Sequence, residues 1–293
     1  MALRILLLGK NGQLGWEFQR TLPSLGSLTA LDWPEIDFSQ AESLRALVRQ
    51  VRPQLIINAA AYTAVDKAES EVSLAAAINA TAPGILAEEA AALGAALIHY
   101  STDYVFGGLK GSLYTEADVP NPLNVYGRTK LDGERAIQQV GGAYWIFRTS
   151  WVYSLRRDSF VTKVLEWSRR QQTLRVVSDQ VGCPTWCRQL AEISTLAIAA
   201  GRSDVAGWVG QTSGLYHLAG SGSASRLEWA QEILKLDPHR EEQTVTEIVP
   251  ALTAEFPTPA QRPLYAPMSC EAFTGVFGLR LPPWQDALRL LMA

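Results

Sequence analysis

Leu3–Leu8 is an unbroken apolar run. A run of this kind suits a parallel strand buried on both faces, because a strand wet on one face would alternate. Gly12 to about Leu22 reads as the helix that follows, and Leu28–Leu31 as a short second strand ending at Asp32. In "SQAESLRALVRQVRP", Leu44, Leu47, Val48 and Val51 fall on one helical stripe, with Ser39 as the expected cap and Pro53 as the stop. "LIINAAAY" predicts a third strand, "VSLAAAINATAPGILAEEAAALG" one long or broken helix, and "ALIHYSTDYVF" a fourth strand. A helix is expected to begin near Asn124. "AYWIFRTSWVY", "RVVSDQ" and "LYHLAG" then read as further strands.

This strand–helix alternation predicts an α/β fold: a Rossmann-type doubly wound parallel sheet with helices on both faces. Proline and tryptophan become more frequent after about residue 150, and "VPALTAEFPTPAQRPLYAP" is irregular. The expected division follows. Residues 1–150, with strands near 173–179 and 214–220, build the main domain. Residues 151–172, 180–213 and 221–293 build mainly a smaller, discontinuous C-terminal lobe.

Composition narrows the function. The chain has 293 residues, 47% apolar and 19% charged, with a net charge of −3. That balance is globular, and without a basic block neither nucleic acid nor a membrane surface is an expected partner. No stretch approaches the roughly 18 apolar residues of a membrane span. The N-terminal run is short, ends in glycines and lacks a cleavage pattern, so it reads as a strand and not a signal peptide. Cys183, Cys187 and Cys270 cannot all pair, which favours a reducing, cytoplasmic setting. The C-x₃-C of Cys183 and Cys187 has no second pair beside it, so zinc is not expected.

The chemistry starts at Gly9, Gly12 and Gly15, a G-x-x-G-x-x-G turn directly after a strand and opening a helix. Glycines there permit φ > 0 and close approach of the backbone to a pyrophosphate at the helix N-terminus. This predicts binding of a dinucleotide. Asp32, at the end of the second strand, is placed to accept from an adenosine ribose and taken alone favours NADH. Lys10 offsets that charge or is simply a solvated lysine. Asp37 and Phe38 either cover the adenine or cap and pack a helix. Tyr126 and Lys130 stand four apart on one helical face. A phenol beside a fixed positive charge is expected to have a lowered pKa and to serve as an acid. The spacing alone is common. It gains weight from Thr102, a hydroxyl at the end of the preceding strand.

Together these residues resemble the extended short-chain dehydrogenase/reductase family. More narrowly, the chain is similar to the dTDP-4-dehydrorhamnose reductases within it, on "GKNGQLGWE", "NAAAYTAVDKAE", "STDYVF", "PLNVYGRTKLDGE", "FRTSWVY", "DQVGCPT", "FPTPAQRP" and "LPPWQDAL". The resemblance implies reduction of the C4 keto group of dTDP-4-dehydro-β-L-rhamnose with NADPH or NADH. It implies that Gly9, Gly12, Gln13, Leu14 and Asp32 meet the cofactor's pyrophosphate and ribose, Asp37 and Phe38 its adenosine end, and Ala61, Tyr62, Thr63 and Tyr100 the rest of it. Tyr126 would donate the proton, and Lys130 would hold the ribose and tune the phenol. Thr102, Asp103 and Trp151 would contact the sugar, and Arg262 the nucleotide. Tyr62 stands where relatives often have His. Some members form a metal-dependent dimer. No residue set here carries that Mg²⁺ requirement over, and either a monomer or a homodimer is expected. A non-catalytic regulatory subunit, like that of methionine adenosyltransferase, and a nucleotide-sugar epimerase remain as alternatives. A dehydratase would need glutamate where Tyr104 follows Asp103.

Overall fold

Residues 2–293 are described by a computed structural model. The Leu3–Leu8 run forms β1. It lies inside a six-stranded, all-parallel sheet ordered Gly214–His217, β5 (Tyr144–Thr149), β4 (Ala96–Thr102), β3 (Leu55–Asn58), β1 and β2 (Gly26–Leu31). Alternate residues of each strand feed opposite cores. Ile5, Leu7, Ile57 and Ile98 meet Phe18 and Ile198 on one face. Leu6, Leu8, Ile56 and Leu97 meet Val48, Leu86 and Ile137 on the other. This is why the strands read as continuous apolar runs. Chain order reverses on either side of β1, which has β2 on one edge and β3 on the other. Ligands of open parallel sheets bind beyond the strand ends at such a switch point. The register brings the ends together: Leu8 pairs with Leu31 and Asn58, and Thr102 with Thr149.

A third core belongs to the C-terminal lobe and gathers Tyr153, Val161, Leu174, Val176, Trp229, Ile233, Trp284 and Leu288. The stretch near 173–179 was expected in the main sheet. Instead, Thr173–Val177 pairs in parallel with Glu247–Ala251 in a separate two-stranded sheet. Its residues alternate between exposed and buried, with Leu174 and Val176 inward and Arg175 outward. A central strand of this sheet would have to be buried on both faces. The expected strand near 214–220 does join the main sheet, over Gly214–His217.

Ser39 does not cap the second helix. That helix is Ala41–Val51, its N-cap Gln40 makes no side-chain capping bond, and the Ser39 hydroxyl donates to Asp37 at 2.7 Å. The helix stops as expected, with Arg52 in the left-handed region (φ 47°) just before Pro53. The long segment after β3 is broken by a π-turn, Ala77–Thr81, ahead of the Ala82–Leu93 helix.

The Val125–Val140 helix opens where expected, with the Asn124 side chain accepting from Gly127 N–H at 2.8 Å. It lies close against the π-turn, where a Cβ on Gly133 would stand 2.1 Å from the Asn79 carbonyl oxygen. The same helix is tied to the sheet by a buried fork. Arg148 Nε and Nη2 of β5 donate to Glu134 at 2.9 and 2.6 Å, and Ser101 of β4 donates to the same carboxylate. Both charged partners are almost fully buried. Removing one partner of a buried pair strands the other charge in a low dielectric. Glu134→Ala is expected to cost about 3–5 kcal/mol of unfolding free energy. A urea-denaturation midpoint close to the parent's, with an unchanged slope, would refute this.

Candidate active site

A cleft of about 1080 Å³ opens at the strand ends. Gly9 follows β1 with φ +88°, and a Cβ there would lie 2.6 Å from Ala60 N. Glycine is therefore required on two counts, conformation and space. Gln13 and Leu14 border the cleft in the first turn of the Gln13–Thr21 helix, where N–H groups have no intrahelical partner. Asp32 also borders it, with its carboxylate already accepting from Asn11 N–H at 2.8 Å and Trp33 N–H at 2.7 Å. Lys10 is held by Glu35 at 2.6 Å.

The wall beyond β3 is set by a single amide. Asn79, buried in the π-turn, accepts from Tyr62 N–H at 2.8 Å and donates to the Tyr62 carbonyl oxygen at 3.1 Å. Ala61, Tyr62 and Thr63 thereby line the cleft. Tyr100 lies beneath, its ring between Phe18 and Phe147 and its hydroxyl donating to Ser194 at 2.6 Å.

Thr102, Tyr126 and Lys130 all border the same cleft. Lys130 Nζ donates to the Tyr100 carbonyl oxygen at 2.5 Å and lies 3.1 Å from His99 Nε2. Burial pushes this ammonium down to about 8, with Glu134 acting the other way. Burial also holds His99 well below its usual range. The Tyr126 phenol was expected to have a lowered pKa, and it does not. Burial raises it, contact with Thr102 opposes the rise, and the Lys130 charge is directed toward the sheet. The Thr102 hydroxyl donates to Asp103 at 3.1 Å and accepts from Tyr104 N–H. Asp103 also accepts from Ser150 at 2.7 Å, yet burial raises its carboxyl to about 6.

Of the residues singled out in the sequence, Gly9, Gly12, Gln13, Leu14, Asp32, Phe38, Ala61, Tyr62, Thr63, Tyr100, Thr102, Asp103, Tyr126, Lys130 and Trp151 border the cleft. Asp37 does not; its carboxylate turns back to Ser39. Arg262 lines a second cavity of about 670 Å³ and forms a two-point ion pair with Asp66, at 2.8 and 3.1 Å. Sequence reasoning missed Trp33, Arg156, Arg157 and Arg226 in the cleft wall. The arginine pair in "SLRRDS", just past a strand ending at this edge, was a readable signal for two of them. Arg157 donates to the Asn11 carbonyl oxygen at 2.6 Å, and Arg156 lies 3.2 Å over the Trp16 ring. The exposed cluster His239, Glu241 and Glu242 lines neither cavity. Among the described residues no helix is long and apolar enough to cross a membrane.

The model of the RmlD substrate binding domain family matches residues 3–293. The chain belongs to this family. It is 42% identical to the dTDP-4-dehydrorhamnose reductase of Escherichia coli strain K12, over 99% of this chain and 97% of that protein. It is 40% identical to the one from Burkholderia thailandensis, over 98% and 97%. Among solved structures, the dTDP-4-dehydrorhamnose reductase of Bacillus anthracis in complex with NADP is similar with a TM-score of 0.88 and 32% identity, covering 99% of both chains. The likeness to the RmlD family thus extends through the C-terminal lobe as well as the sheet.

Lys130 yields a stability test. Its folded pKa, about 8, lies below the free value of 10.5, so between these two the unfolded chain binds more protons. The lysine therefore adds to stability as pH rises through that window and detracts from it below about 8. Urea denaturation at pH 7.5 and 9.5 is expected to show a smaller pH-dependent gain for Lys130→Met than for the parent. Equal gains would count against a depressed Lys130.

Proposed function

We propose that this chain reduces the C4 keto group of dTDP-4-dehydro-β-L-rhamnose with NADPH or NADH, giving dTDP-L-rhamnose. The observation that carries the reading is the meeting of Thr102, Tyr126 and Lys130 with the glycine turn in one cleft, in a chain matched nearly end to end by reductases of that activity. The cleft fits a nicotinamide dinucleotide: the Gly9 turn leaves no room for a side chain, and unpaired helix N–H groups face the space. When bound, that cofactor supplies a hydride to the carbonyl carbon.

The chain's own residues supply the rest. Gln13 and Leu14 N–H groups cradle the pyrophosphate, and Ala61, Tyr62 and Thr63 form the wall along the cofactor. Tyr126 gives its proton to O4. Its raised pKa keeps the phenol protonated until a stronger base, the developing alkoxide, appears beside it. Thr102 turns its hydroxyl from Asp103 to the same oxygen. Lys130, anchored on the Tyr100 carbonyl, offers its remaining donor to the nicotinamide-side ribose and its charge to the phenolate left after transfer. Trp151 and Asp103 position the sugar. The lobe around Trp229 takes the nucleotide half of the substrate, with Arg262 at its wall.

Tyr126→Phe is expected to lower turnover about 10²–10⁴-fold while cofactor and keto-sugar still bind. The check is oxidation of NADPH followed by absorbance, beside calorimetric binding; turnover at the parental rate would reject the assignment. Asp32 sets the cofactor balance. Its carboxylate repels a 2′-phosphate, and Lys10 is committed to Glu35. Asp32→Ser is expected to raise the ratio of kcat/KM for NADPH over NADH about tenfold, equivalent to one charge contact of about 1.4 kcal/mol. An unchanged or inverted ratio would remove Asp32 from the adenosine end.

A further inference from the structure

The two cavities share three wall residues, Trp151, Val152 and Arg226. Arg226 is the one charged member. It is the first residue of the Arg226–Leu236 helix, which a Ser225–Glu228 capping box starts. Its backbone N–H donates to the Gln180 carbonyl oxygen. The guanidinium is stacked: its carbon lies 3.6 Å from the Trp151 ring centroid, 4.8 Å from Phe160 and 5.6 Å from Trp229. Stacking holds the plane of the group but uses none of its N–H donors. Among the described residues the Arg226 side chain makes no hydrogen bond and no ion pair. Burial pushes its pKa down to about 10, so it stays charged at neutral pH.

The other arginines of the second cavity are spoken for. Arg262 is bound by Asp66, Thr258 and the Ala260 carbonyl. Arg175 is bound by Glu255. Asp103, a carboxylate whose charge acts on Arg226, is itself held by Ser150 and Thr102. A half-buried cation, stacked in place on the shared wall with its donors idle, suits an anionic, multidentate partner.

We propose that Arg226 anchors the bridging diphosphate of the substrate. The proposal rests on the nucleotide-sugar reading above. With the sugar at Tyr126 in the first cavity and the nucleoside in the second, the part of the molecule that must pass the shared wall is its doubly anionic link. The aromatic stack fixes the guanidinium in advance, so little side-chain freedom is lost on binding.

Calorimetric titration with dTDP, UDP, thymidine and NADPH tests this on the full chain. The parent is expected to bind dTDP more tightly than thymidine. Arg226→Met is expected to weaken dTDP about ten- to hundredfold, the scale of charge-assisted hydrogen bonds, and to leave thymidine and NADPH within twofold. Arg226→Lys keeps the charge without the fork and should fall between. Parental dTDP affinity in Arg226→Met overturns the proposal while leaving the nucleotide-sugar reading intact. Equal weakening of dTDP, thymidine and NADPH also overturns it, because it marks a packing role. A parent that binds neither dTDP nor UDP rejects the nucleotide-sugar reading, and the proposal falls with it. Arg226→Lys, the milder change, decides the matter if the methionine variant does not fold: its dTDP loss with thymidine retained supports the anchor, and no loss opposes it.

Discussion

A single helix face carries the site, and two buried charges hold that face against the sheet. Tyr126, Lys130 and Glu134 are spaced four apart, so they share one side of the Val125–Val140 helix. Lys130 is fixed on the Tyr100 carbonyl and Glu134 on Arg148, attachments on β4 and β5. With two points one turn apart pinned, the helix can neither roll nor slide, and the orientation of Tyr126 follows. Small residues let the helix come near enough for this. Gly133 clears the Asn79 carbonyl, and Asn79 in turn fixes Tyr62 on the opposite wall. One tertiary constraint therefore sets both sides of the cleft.

The same burial decides the electrostatics. Each titratable group at the floor is driven toward its neutral form: the Tyr126 phenol up, Asp103 up, Lys130 down and His99 down. Desolvation outweighs the hydrogen bonds that oppose it at Asp103 and Tyr126, and the Glu134 charge that opposes it at Lys130. Thr102 answers Asp103, and Lys130 answers a main-chain oxygen. A low-dielectric pocket gains most from fixed donors at the points where charge develops.

What was legible in the sequence was local. Leu3–Leu8 announced a strand buried on both faces because apolar continuity and burial are one property. The glycine turn and the start of a helix near Asn124 were readable because backbone geometry restricts the residues allowed there. The failures were of competition between partners. Ser39 had the right identity for a cap but found Asp37 first. The strand Thr173–Val177 was correctly seen as extended, yet its pairing with Glu247–Ala251 depends on a segment some seventy residues away. Arg226 carried no sequence signal at all, since a helix-first arginine is ordinary until Trp151 and Phe160 are seen to enclose it. The pKa of Tyr126 was misjudged for the same reason: helical spacing places Lys130 beside it but does not say where the ammonium points.

Trp151 shows how the sheet and the lobe are joined. It stands two residues past the end of β5 and adopts φ 44°, a conformation that disfavours bulky side chains. Such a residue persists only where its surroundings over-determine it. Here they do. Its ring stacks on Trp229 at 5.5 Å and lies over Gly182, where a Cβ would come within 2.5 Å of the ring. The left-handed turn redirects the chain from the end of β5 into the lobe, and the Trp151 side chain becomes wall to both cavities. The cost of the turn is thus the cost of coupling: packing in the lobe's own core, through Trp229, fixes the position of a residue at the floor's edge. A change inside that core, with no residue of the cleft altered, would move the junction at which the two cavities meet.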